Sequence, residues 1–555
     1  MSENLFERHR QLLEQAVEAI HARGYWSPFP EMPSPKAYGE TANEDGRKAF
    51  EARLHKLFAI DQPGTAGQVG KDEESPFGLD LGITYPKVDL DALFGAMQQA
   101  AVGWRNAGPE TWTGVAVEIL TRLNKHSFEI GYAVMHTTGQ AFTMAFQAGG
   151  PHAQDRGLEA VAHAWSEMKR IPRTATWEKP QGKHEPLKME KRYRIVPRGI
   201  GLVIGCCTFP TWNSYPGLFA TLATGNAVVV KPHPGAVLPL AITVEIARQV
   251  LAEAGCDPNV VTLVAHEKND DIAAKLALRP EVKVIDFTGS PANGIWLEKN
   301  AQQAQVFTEK AGVNPIVIDS TDDFKGMVRN IAFSLALYSG QMCTAPQNIY
   351  IPRTGIDTSE GHVGFEQVAA AIGDGLRKLL GDATRAVEVL GAIQNETILE
   401  RLDAARSLGE IVVNSESIPH PQFPDARVRT PLLLKADAAD ESRFMREWFG
   451  PIAFVISTDG TRQSIELSRR GAIEHGAITM SVYSTDRAIL DEAQDAAAEA
   501  GVALSCNLTG AVFVNQSAAY SDFHASGANP AANSSLTDAA FVANRFRVAQ
   551  SRAHV

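Results

Sequence analysis

The chain has 555 residues, of which 44% are hydrophobic and 21% are charged. This composition excludes a wholly disordered chain, and the length predicts two or more packed domains, at about 100–200 residues per domain. The 52 basic and 64 acidic residues give a net charge of −12, which disfavours a nucleic-acid partner, because nucleic-acid binding requires a basic surface.

The start of the chain carries no visible targeting signal. Met1-Ser2-Glu3-Asn4 begins neither a basic nor an apolar leader region. The longest apolar stretch, residues 199–209, is shorter than the roughly 18 residues that a membrane span needs. We therefore expect a cytoplasmic protein without a membrane partner.

The N-terminal part of the sequence divides into three segments. Residues 1–25 have apolar side chains at helical spacing, and residues 26–87 are interrupted by proline and glycine, with one helical piece near residues 46–58. We interpret residues 1–88 as an N-terminal extension wrapped over the main body. A long helical region is predicted from about residue 89 to 168.

Strand patterns dominate the next part of the chain. Residues 174–196 alternate in polarity around Gly182 and predict a protruding hairpin of the kind that often makes oligomer contacts. Strands near 228–230, 260–264 and 282–287 then alternate with helices near 237–254 and 270–278. This order predicts a parallel sheet with helices on both faces, and a further α/β region follows from about 314 to 482.

Cys343 is the candidate nucleophile. The five cysteines form no C-x-x-C pair, so neither a disulfide framework nor a metal site is expected. A lone cysteine is more often a small buried apolar residue than a nucleophile, which needs a nearby base. Glu309, between an apolar strand and a small-residue turn, is the candidate base. The alternative interpretation is a solvated glutamate that pairs with Lys310.

Two strand ends are candidates for a cofactor site. Lys231 ends the buried strand that follows Gly225, and the carboxyl ends of parallel strands are where such sheets bind nucleotides. Gly289 and Ser290 lie between a strand and a helix start, where free amides can receive a pyrophosphate.

Over residues 90–545 the chain resembles the aldehyde dehydrogenase superfamily. Seven motifs in the family's order carry the resemblance: Gly225-Asn226, Val230-Lys231-Pro232, Phe287-Thr288-Gly289-Ser290, Thr308-Glu309, Gly340-Gln341-Met342-Cys343, Glu447-Trp448-Phe449-Gly450-Pro451 and residues 510–515. Within the superfamily the chain is similar to the phenylacetic-acid-degradation protein PaaN group, through its proline-rich N-terminal segment and the run from Cys206 to Asn213.

The resemblance implies an α/β fold of the aldehyde-dehydrogenase type. It implies a Rossmann-like cofactor domain (residues 89–173 and 197–310), a catalytic α/β domain (residues 311–500) and a small oligomerisation β element (residues 174–196 and 520–555). A homodimer or homotetramer is therefore expected.

The resemblance also implies the roles of the site residues. Cys343 would attack an aldehyde, and oxidation would then leave a thioester on the sulfur. Glu309 would activate the water that hydrolyses this thioester. A carboxylate suits this task if burial raises its pKa towards neutrality. The residues implied for binding NADP or NAD are Lys231 at the adenosine ribose, Gly289 and Ser290 at the pyrophosphate, Glu447 at the nicotinamide ribose and Phe449 near the nicotinamide.

The sequence departs from the family pattern at two positions. Thr208 stands where an oxyanion-hole asparagine is usual, and losing such a donor typically costs about 10²–10³ in rate. The Thr208 hydroxyl or a shifted Asn213 is expected to replace it. His233-Pro234 follows Lys231-Pro232, where NAD-preferring relatives carry a glutamate, so NADP is slightly favoured as the cofactor. The alternative is that His233 is only a loop residue.

The expected activity is oxidation of an aldehyde, a semialdehyde of aromatic-acid catabolism that is free or CoA-linked, to the carboxylic acid. Two alternatives stay open. A CoA-acylating dehydrogenase is disfavoured because acylating relatives generally lack the base at Glu309. A binding or scaffold protein that has lost activity with the oxyanion asparagine is disfavoured by the presence of Cys343, Glu309 and Glu447.

Overall fold

The computed structural model describes residues 4–310 and 312–554. Met1 to Glu3 of the expected leaderless start, Ala311 at the expected domain boundary, and Val555 lie outside the described residues. Within the described ranges, no helix is long and apolar enough to cross a membrane.

The N-terminal extension is ordered against the main body. Its first helix packs on two helices of the main body, and its apolar face, which includes Phe6 and Leu13, belongs to the largest hydrophobic core. The elements of the extension are α1 (Leu5–Ala22), α2 (Pro35–Tyr38), α3 (Ala42–Glu51), β1 (Thr65–Val69) and β2 (Tyr85–Val88).

The predicted helical region and hairpin are both present. The helices are α4 (Leu90–Ala107), α5 (Pro109–Lys125), α6 (Ser127–Thr138), α7 (Phe142–Gly149) and α8 (Pro151–Lys169). The hairpin consists of β3 (Thr174–Gln181) and β4 (His184–Pro197), whose side chains are mostly exposed.

A five-stranded parallel sheet follows, in the order β7-β6-β5-β8-β9. Its central strands are buried because helices cover both faces, as their continuous apolar sequence predicts. The elements are β5 (Ile200–Ile204), α9 (Pro210–Ala223), β6 (Ala227–Lys231), α10 (Leu238–Glu253), a 3₁₀ turn (Pro258–Val260), β7 (Val261–Leu263), α11 (Ile272–Ala277), β8 (Val282–Gly289), α12 (Pro291–Asn300) and β9 (Gln305–Lys310).

A second sheet of seven strands has the order β15-β16-β17-β12-β10-β18-β19 and is parallel except at β15. Three further hydrophobic clusters pack against its faces. Its part of the chain contains β10 (Asn314–Ile318), β11 (Ser320–Thr321), α13 (Phe324–Ala336), a short turn (Leu337–Gly340), β12 (Pro346–Pro352), β13 (Ile356–Thr358), β14 (Gly361–Val363), α14 (Phe365–Leu379), α15 (Ala383–Leu390), α16 (Glu396–Ala405), β15 (Glu410–Val413), β16 (Leu432–Asp437), α17 (Glu441–Phe444), β17 (Ile452–Thr458), α18 (Thr461–His475), β18 (Thr479–Tyr483), α19 (Arg487–Ala500) and β19 (Ala503–Cys506).

The C-terminal segment returns to the first sheet. It ends in α20 (Ala539–Ala543) and β20 (Phe546–His554), and β20 pairs with β4 along its whole length to complete a three-stranded sheet. Residues 524–536, part of the 520–555 segment that we expected to belong to the oligomerisation element, lie against the end of β9, where a bridge joins Glu309 to Ala532 and another joins His524 to Leu536.

Arg545 anchors this segment. Its guanidinium is fully buried and donates to both carboxylate oxygens of Asp286 on β8, at 2.7 and 2.6 Å, and to Thr221 on α9 at 2.6 Å. It also lies over the rings of Phe307 and Phe541, 4.5 and 4.1 Å from their centroids. One side chain therefore joins the first sheet, a covering helix and the returning chain.

We expect Arg545→Met to lower the free energy of unfolding by about 3–5 kcal/mol, because it leaves the Asp286 carboxylate buried without its partner. The measurement is denaturant unfolding followed by fluorescence and circular dichroism. Arg547→Met, at an exposed position two residues further on, is the matched control and should change stability by less than about 0.5 kcal/mol. Similar losses in both variants would contradict the assigned role of Arg545.

Candidate active site

The loop before Cys343 has a constrained backbone. After α13, Tyr338, Ser339 and Gly340 all have positive φ, of 50°, 50° and 63°. Such backbone angles are unfavourable for residues other than glycine, so the surrounding structure must hold Tyr338 and Ser339 in this conformation. The Ser339 hydroxyl donates to the carbonyls of Leu390 and Arg429, and a Cβ on Gly340 would lie 2.4 Å from the Gly450 carbonyl oxygen.

Cys343 is held by the second sheet through its backbone, and its thiol lies beside Glu309 at the end of the first sheet. Its carbonyl oxygen accepts a 2.8 Å hydrogen bond from the side-chain amide of Asn314 on β10. Burial, and next the Glu309 carboxylate, raise the pKa of this thiol well above its ordinary value, although its own backbone amide opposes the effect. The resting thiol is therefore protonated near neutral pH and needs a base to become a nucleophile.

Glu309 lies near the end of β9, buried beside Cys343. Burial alone would raise its pKa, but the charge of His524 and hydrogen bonds from His524, Cys343 and Asn213 outweigh it, so the pKa is lowered. The condition that burial raises this pKa towards neutrality is therefore not met in the described structure. The physical reason is that the carboxylate is surrounded by groups that stabilise its charge.

His524 is the residue of this cluster that the sequence did not reveal. Its Nε2 lies 3.1 Å from Glu309 Oε1 and 3.7 Å from Cys343 Sγ, and the side chains of His524 and Glu309 are each only 2% exposed. Its ring meets the ring of Trp212 edge-on, with centroids 4.7 Å apart. The sequence offered only a histidine within a segment assigned to oligomer contacts, a position that gave no sign of chemistry.

The two expected oxyanion donors, Thr208 and Asn213, have hydrogen-bond partners within the protein. The Thr208 hydroxyl faces the sulfur of Cys206 at 4.0 Å, and its carbonyl oxygen accepts from Gln140. The Asn213 amide donates to both oxygens of Glu309, at 3.2 and 3.1 Å. Both side chains line the cleft, but their recorded hydrogen bonds go to Cys206 and Glu309.

A cleft of about 680 Å³ leads to this cluster, between the two sheets. The site residues that line it are Thr208, His233, Gly289, Ser290, Glu309, Cys343, Glu447 and Phe449. Ser290 caps α12 by accepting from the Asn293 amide, so the positive end of this helix lies at the cleft. Burial raises the pKa of Glu447 to about 7, an effect that Arg401 opposes.

Lys231 and His233 lie at the carboxyl end of β6, on the side of the cleft that is expected to bind the cofactor. Lys231 is buried at the end of β6, and burial lowers its pKa to about 8. It is not among the described residues that line the cleft. Burial, with the charge of Lys231, lowers the pKa of His233 to about 3, and its Nδ1 accepts a hydrogen bond from the Gly235 amide.

The N-terminal extension contributes two acidic residues to this end of the cleft, Asp72 and Glu74. The Asp72 carboxylate accepts a hydrogen bond from the backbone amide of Lys268, and Lys268 lines the cleft as well. Between them, Glu73 is buried and accepts from the first amides of α10. The sequence predicted that the extension covers the main body, but no motif indicated a contact with the cofactor side.

The cluster also has the ligand types of a metal site. Within the described ranges, one carboxylate oxygen of Glu309, the sulfur of Cys343 and one ring nitrogen of His524 lie within 4.8 Å of one another. The same closeness is what acid–base chemistry requires of these three groups.

The comparison with protein families identifies the chain. The sequence profile described as "Aldehyde dehydrogenase family" matches residues 84–531. The chain belongs to the aldehyde dehydrogenase family. Cys343, Glu309 and His524 lie within the matched residues, as do the residues that line the cleft except Asp72 and Glu74 of the extension.

Similar proteins agree with this membership. An NAD-dependent aldehyde dehydrogenase from Burkholderia multivorans is 65% identical, with a TM-score of 0.99 and coverage of 100% of both chains. Aldehyde dehydrogenase LUC3 of Fusarium sp is 26% identical over 52% of this chain and 58% of its own length. An N-succinylglutamate 5-semialdehyde dehydrogenase of Burkholderia cenocepacia is 26% identical over 75% of this chain and 80% of its own. The match thus spans less than two thirds of the first of these curated relatives.

Proposed function

We propose that this aldehyde dehydrogenase oxidises an aldehyde to the carboxylic acid with NAD. The observation that carries the proposal is the meeting of Cys343 and Glu309 at a cleft between the two sheets. A nucleophile and a base within reach of each other suit an acyl-enzyme mechanism.

The cleft fits a dinucleotide. The start of α12 at Ser290 offers the positive end of the helix for a pyrophosphate, and the Glu447 carboxyl offers acceptors for ribose hydroxyls. Phe449 adds an apolar wall. A nicotinamide held there would supply the acceptor for the hydride of the aldehyde carbon.

The side chains of the chain perform the covalent steps. The Cys343 thiolate forms a bond to the aldehyde carbon, and the charge that develops on oxygen faces the Cys343 backbone amide, which lies close enough to the sulfur to lower the pKa of the thiol. After oxidation the acyl group is held as a thioester. Glu309 then takes a proton from water, the water oxygen bonds to the acyl carbon, and the thiolate leaves with release of the acid.

The two alternatives differ from this proposal in testable ways. A CoA-acylating enzyme would transfer the acyl group to CoA, and a buried, hydrogen-bonded carboxylate beside the nucleophile favours water instead. A scaffold protein that has lost activity does not need Cys343 at all.

We expect reduction of NAD at 340 nm with a panel of aldehydes, and its loss in Cys343→Ala. In Glu309→Gln, a single burst of NADH should be followed by turnover slowed by about 10²–10⁴-fold, because the thioester waits for water. Cys256→Ala, a half-buried thiol outside the cluster, is the matched control and should keep wild-type rates. Turnover that requires added CoA would favour the acylating alternative, and undiminished turnover in Cys343→Ala would contradict the proposed nucleophile.

We further propose a semialdehyde of aromatic-acid catabolism, free or CoA-linked, as the substrate class. The proposal is supported by the resemblance to the PaaN group through the run from Cys206 to Asn213. A relative named for a semialdehyde gives coarser support. The aldehyde panel therefore includes aliphatic, aromatic, carboxylate-bearing and CoA-linked members.

Our proposal of NAD over NADP reverses the slight preference that the His233-Pro234 sequence suggested. His233 is neutral near pH 7 because its pKa is about 3, so it supplies no charge for a 2′-phosphate. Asp72 and Glu74 place two carboxylates at the same end of the cleft, which Lys268 lines with one ammonium, whereas the Lys231 ammonium beside His233 is buried and does not line the cleft. A similar protein from Burkholderia multivorans is itself described as NAD-dependent.

We expect Asp72→Asn combined with Glu74→Gln to strengthen NADP binding by about tenfold and to leave NAD binding nearly unchanged. The reason is that removal of two negative charges from partly solvated surroundings near a 2′-phosphate changes the binding free energy by roughly 1–2 kcal/mol. The measurement is the Kd of each nucleotide by calorimetry, without substrate. Asp80→Asn, a well-exposed acid of the same extension outside the cleft, is the control. Equal effects on both nucleotides would count against the assigned discrimination.

We also propose that the sheet β20-β4-β3 joins copies of the chain into a dimer or tetramer. Its outer strands leave backbone groups unpaired within the described chain, and an unpaired edge favours pairing with another sheet. Light scattering coupled to size-exclusion chromatography should show an oligomer at micromolar concentration. Val548→Lys on β20 should weaken it, whereas Val512→Lys, also an exposed apolar position, should not. A wild-type monomer would contradict the proposal.

A further inference from the structure

Cys343, Glu309 and His524 together have the composition of a zinc-binding site. One carboxylate oxygen of Glu309, the Cys343 sulfur and one ring nitrogen of His524 lie within 4.8 Å of one another. Thiolate, imidazole and carboxylate are the three side-chain groups that bind zinc in proteins. The cysteine spacing gave no sign of such a site, because its three members come from β9, the loop after α13 and the C-terminal segment.

The distances within this set are close to those of a tetrahedral zinc site. His524 Nε2 lies 3.7 Å from Cys343 Sγ and 3.1 Å from Glu309 Oε1. With zinc bond lengths of about 2.0–2.3 Å, tetrahedral geometry separates sulfur from nitrogen by about 3.6 Å and nitrogen from oxygen by about 3.3 Å. The three side chains therefore need little movement to surround one ion.

The charges of the set balance a divalent cation. A thiol binds zinc as a thiolate, so Cys343 and Glu309 would supply two negative charges against the two positive charges of the ion. His524 binds as the neutral imidazole. This balance matters because the side chains of Glu309 and His524 are each only 2% exposed, and an uncompensated charge is costly at a buried position.

Neighbouring side chains orient two of the three ligands. The Asn213 amide donates to the Glu309 carboxylate at 3.2 and 3.1 Å. The Ser517 hydroxyl oxygen lies 3.4 Å from His524 Nδ1. In zinc sites, the second nitrogen of a histidine ligand usually donates to an oxygen in this position. The Arg156 guanidinium beyond Ser517 is part of a buried ion pair, so it adds little positive charge against the metal.

The set is accessible from the cleft. Cys343 and Glu309 both line this cleft of about 680 Å³, so an ion from solvent reaches them there, and a water molecule would complete four-coordination. The ligand types also select the metal. Sulfur and nitrogen favour zinc over Mg²⁺ and Ca²⁺, which prefer oxygen.

We propose that Cys343, Glu309 and His524 bind one Zn²⁺ reversibly, and that zinc in this position inhibits the enzyme. On binding, the Cys343 S–H bond breaks, an S–Zn bond forms and the proton passes to solvent. The imidazole binds through Nε2 and carries its one proton on Nδ1. No atom changes its oxidation state. The binding goes beyond the proposed function, and only its effect on turnover rests on that function.

Zinc at this position blocks both covalent steps of the proposed reaction. Its bond to sulfur occupies the lone pair that attacks the aldehyde carbon. Its bond to the Glu309 carboxylate removes the base that activates water. Both effects are reversible, because a chelator that withdraws the ion lets the thiolate take up a proton again.

The test is binding of Zn²⁺ alone to the full chain, measured by competition with a chromophoric chelator in a reducing, metal-free buffer. No aldehyde or nucleotide is present. One ion per chain should bind with a Kd below about 1 μM, more weakly than at structural sites with four protein ligands. Co²⁺ then replaces zinc as a spectroscopic probe, and a thiolate-to-cobalt absorption in the near ultraviolet should report the bond to sulfur.

Variants of the three ligands identify the site. In Cys343→Ala, Glu309→Gln and His524→Gln, the Kd for zinc should rise by at least about 100-fold, because even a change beside a zinc ligand typically costs about 10–100-fold. Cys256→Ala, outside the cluster, and His163→Gln, a buried histidine on α8, are the matched controls and should bind zinc like the wild type. Circular dichroism and the Kd for NAD check that each variant is folded.

Three binding results would overturn the assignment. They are the lack of stoichiometric zinc binding, a cobalt spectrum without thiolate absorption, and wild-type zinc affinity in His524→Gln, which would indicate binding by the thiol alone or at another place.

The effect on turnover is tested separately. If aldehyde oxidation is detected, free zinc at ten times its Kd should lower the rate by about tenfold, and a chelator should restore it. Undiminished turnover with zinc bound would refute inhibition. If no aldehyde is oxidised, the proposed function fails, whereas the zinc affinities of the wild type and variants still decide whether the site exists.

Discussion

The ion pair between Arg545 and Asp286 determines where the C-terminal segment lies. The guanidinium has no exposed surface, so its charge is tolerated only because both carboxylate oxygens of Asp286 and the Thr221 hydroxyl accept from it. The close approach requires a glycine at position 217, where a Cβ would lie 2.4 Å from the Asp286 carboxyl carbon. A buried pair of this kind specifies position more than it adds stability. It fixes the end of the segment whose earlier residues lie beside Glu309.

The same constraint, that a buried charge needs partners, governs the active site. Burial raises the pKa of Cys343, whereas the neighbours of Glu309 lower the pKa of its carboxyl. Two acidic groups a few ångströms apart are thereby driven to opposite protonation states, a neutral thiol beside an ionised carboxylate. This separation is useful because the reaction needs the sulfur first as a nucleophile and later as a leaving group, next to a base that stays ionised.

Most of the fold and the two central site residues could be predicted from the sequence. Alternating strands and helices are local patterns, and Cys343 and Glu309 lie in short motifs at strand and helix ends, so both are visible in the chain itself. His524 could not be predicted, because its partner Glu309 is 215 positions away and only the packing of the returning segment joins them. The direction of the pKa shift of Glu309 could not be predicted for the same reason. Sequence shows burial, but not the donors that arrive from Asn213 and His524.

The contact between the N-terminal extension and the C-terminal segment has a consequence for how the protein folds. Trp26 of the extension meets Tyr520 with ring centroids 4.8 Å apart, and Tyr520 in turn lies four positions before His524. Contacts of such large sequence separation form late, because closing so long a loop costs entropy before the contact can repay it. During refolding, both sheets and a nucleotide-sized cleft can therefore exist before the nucleophile has its full set of neighbours. Recovery of secondary structure and recovery of a reactive thiol are then separate kinetic events.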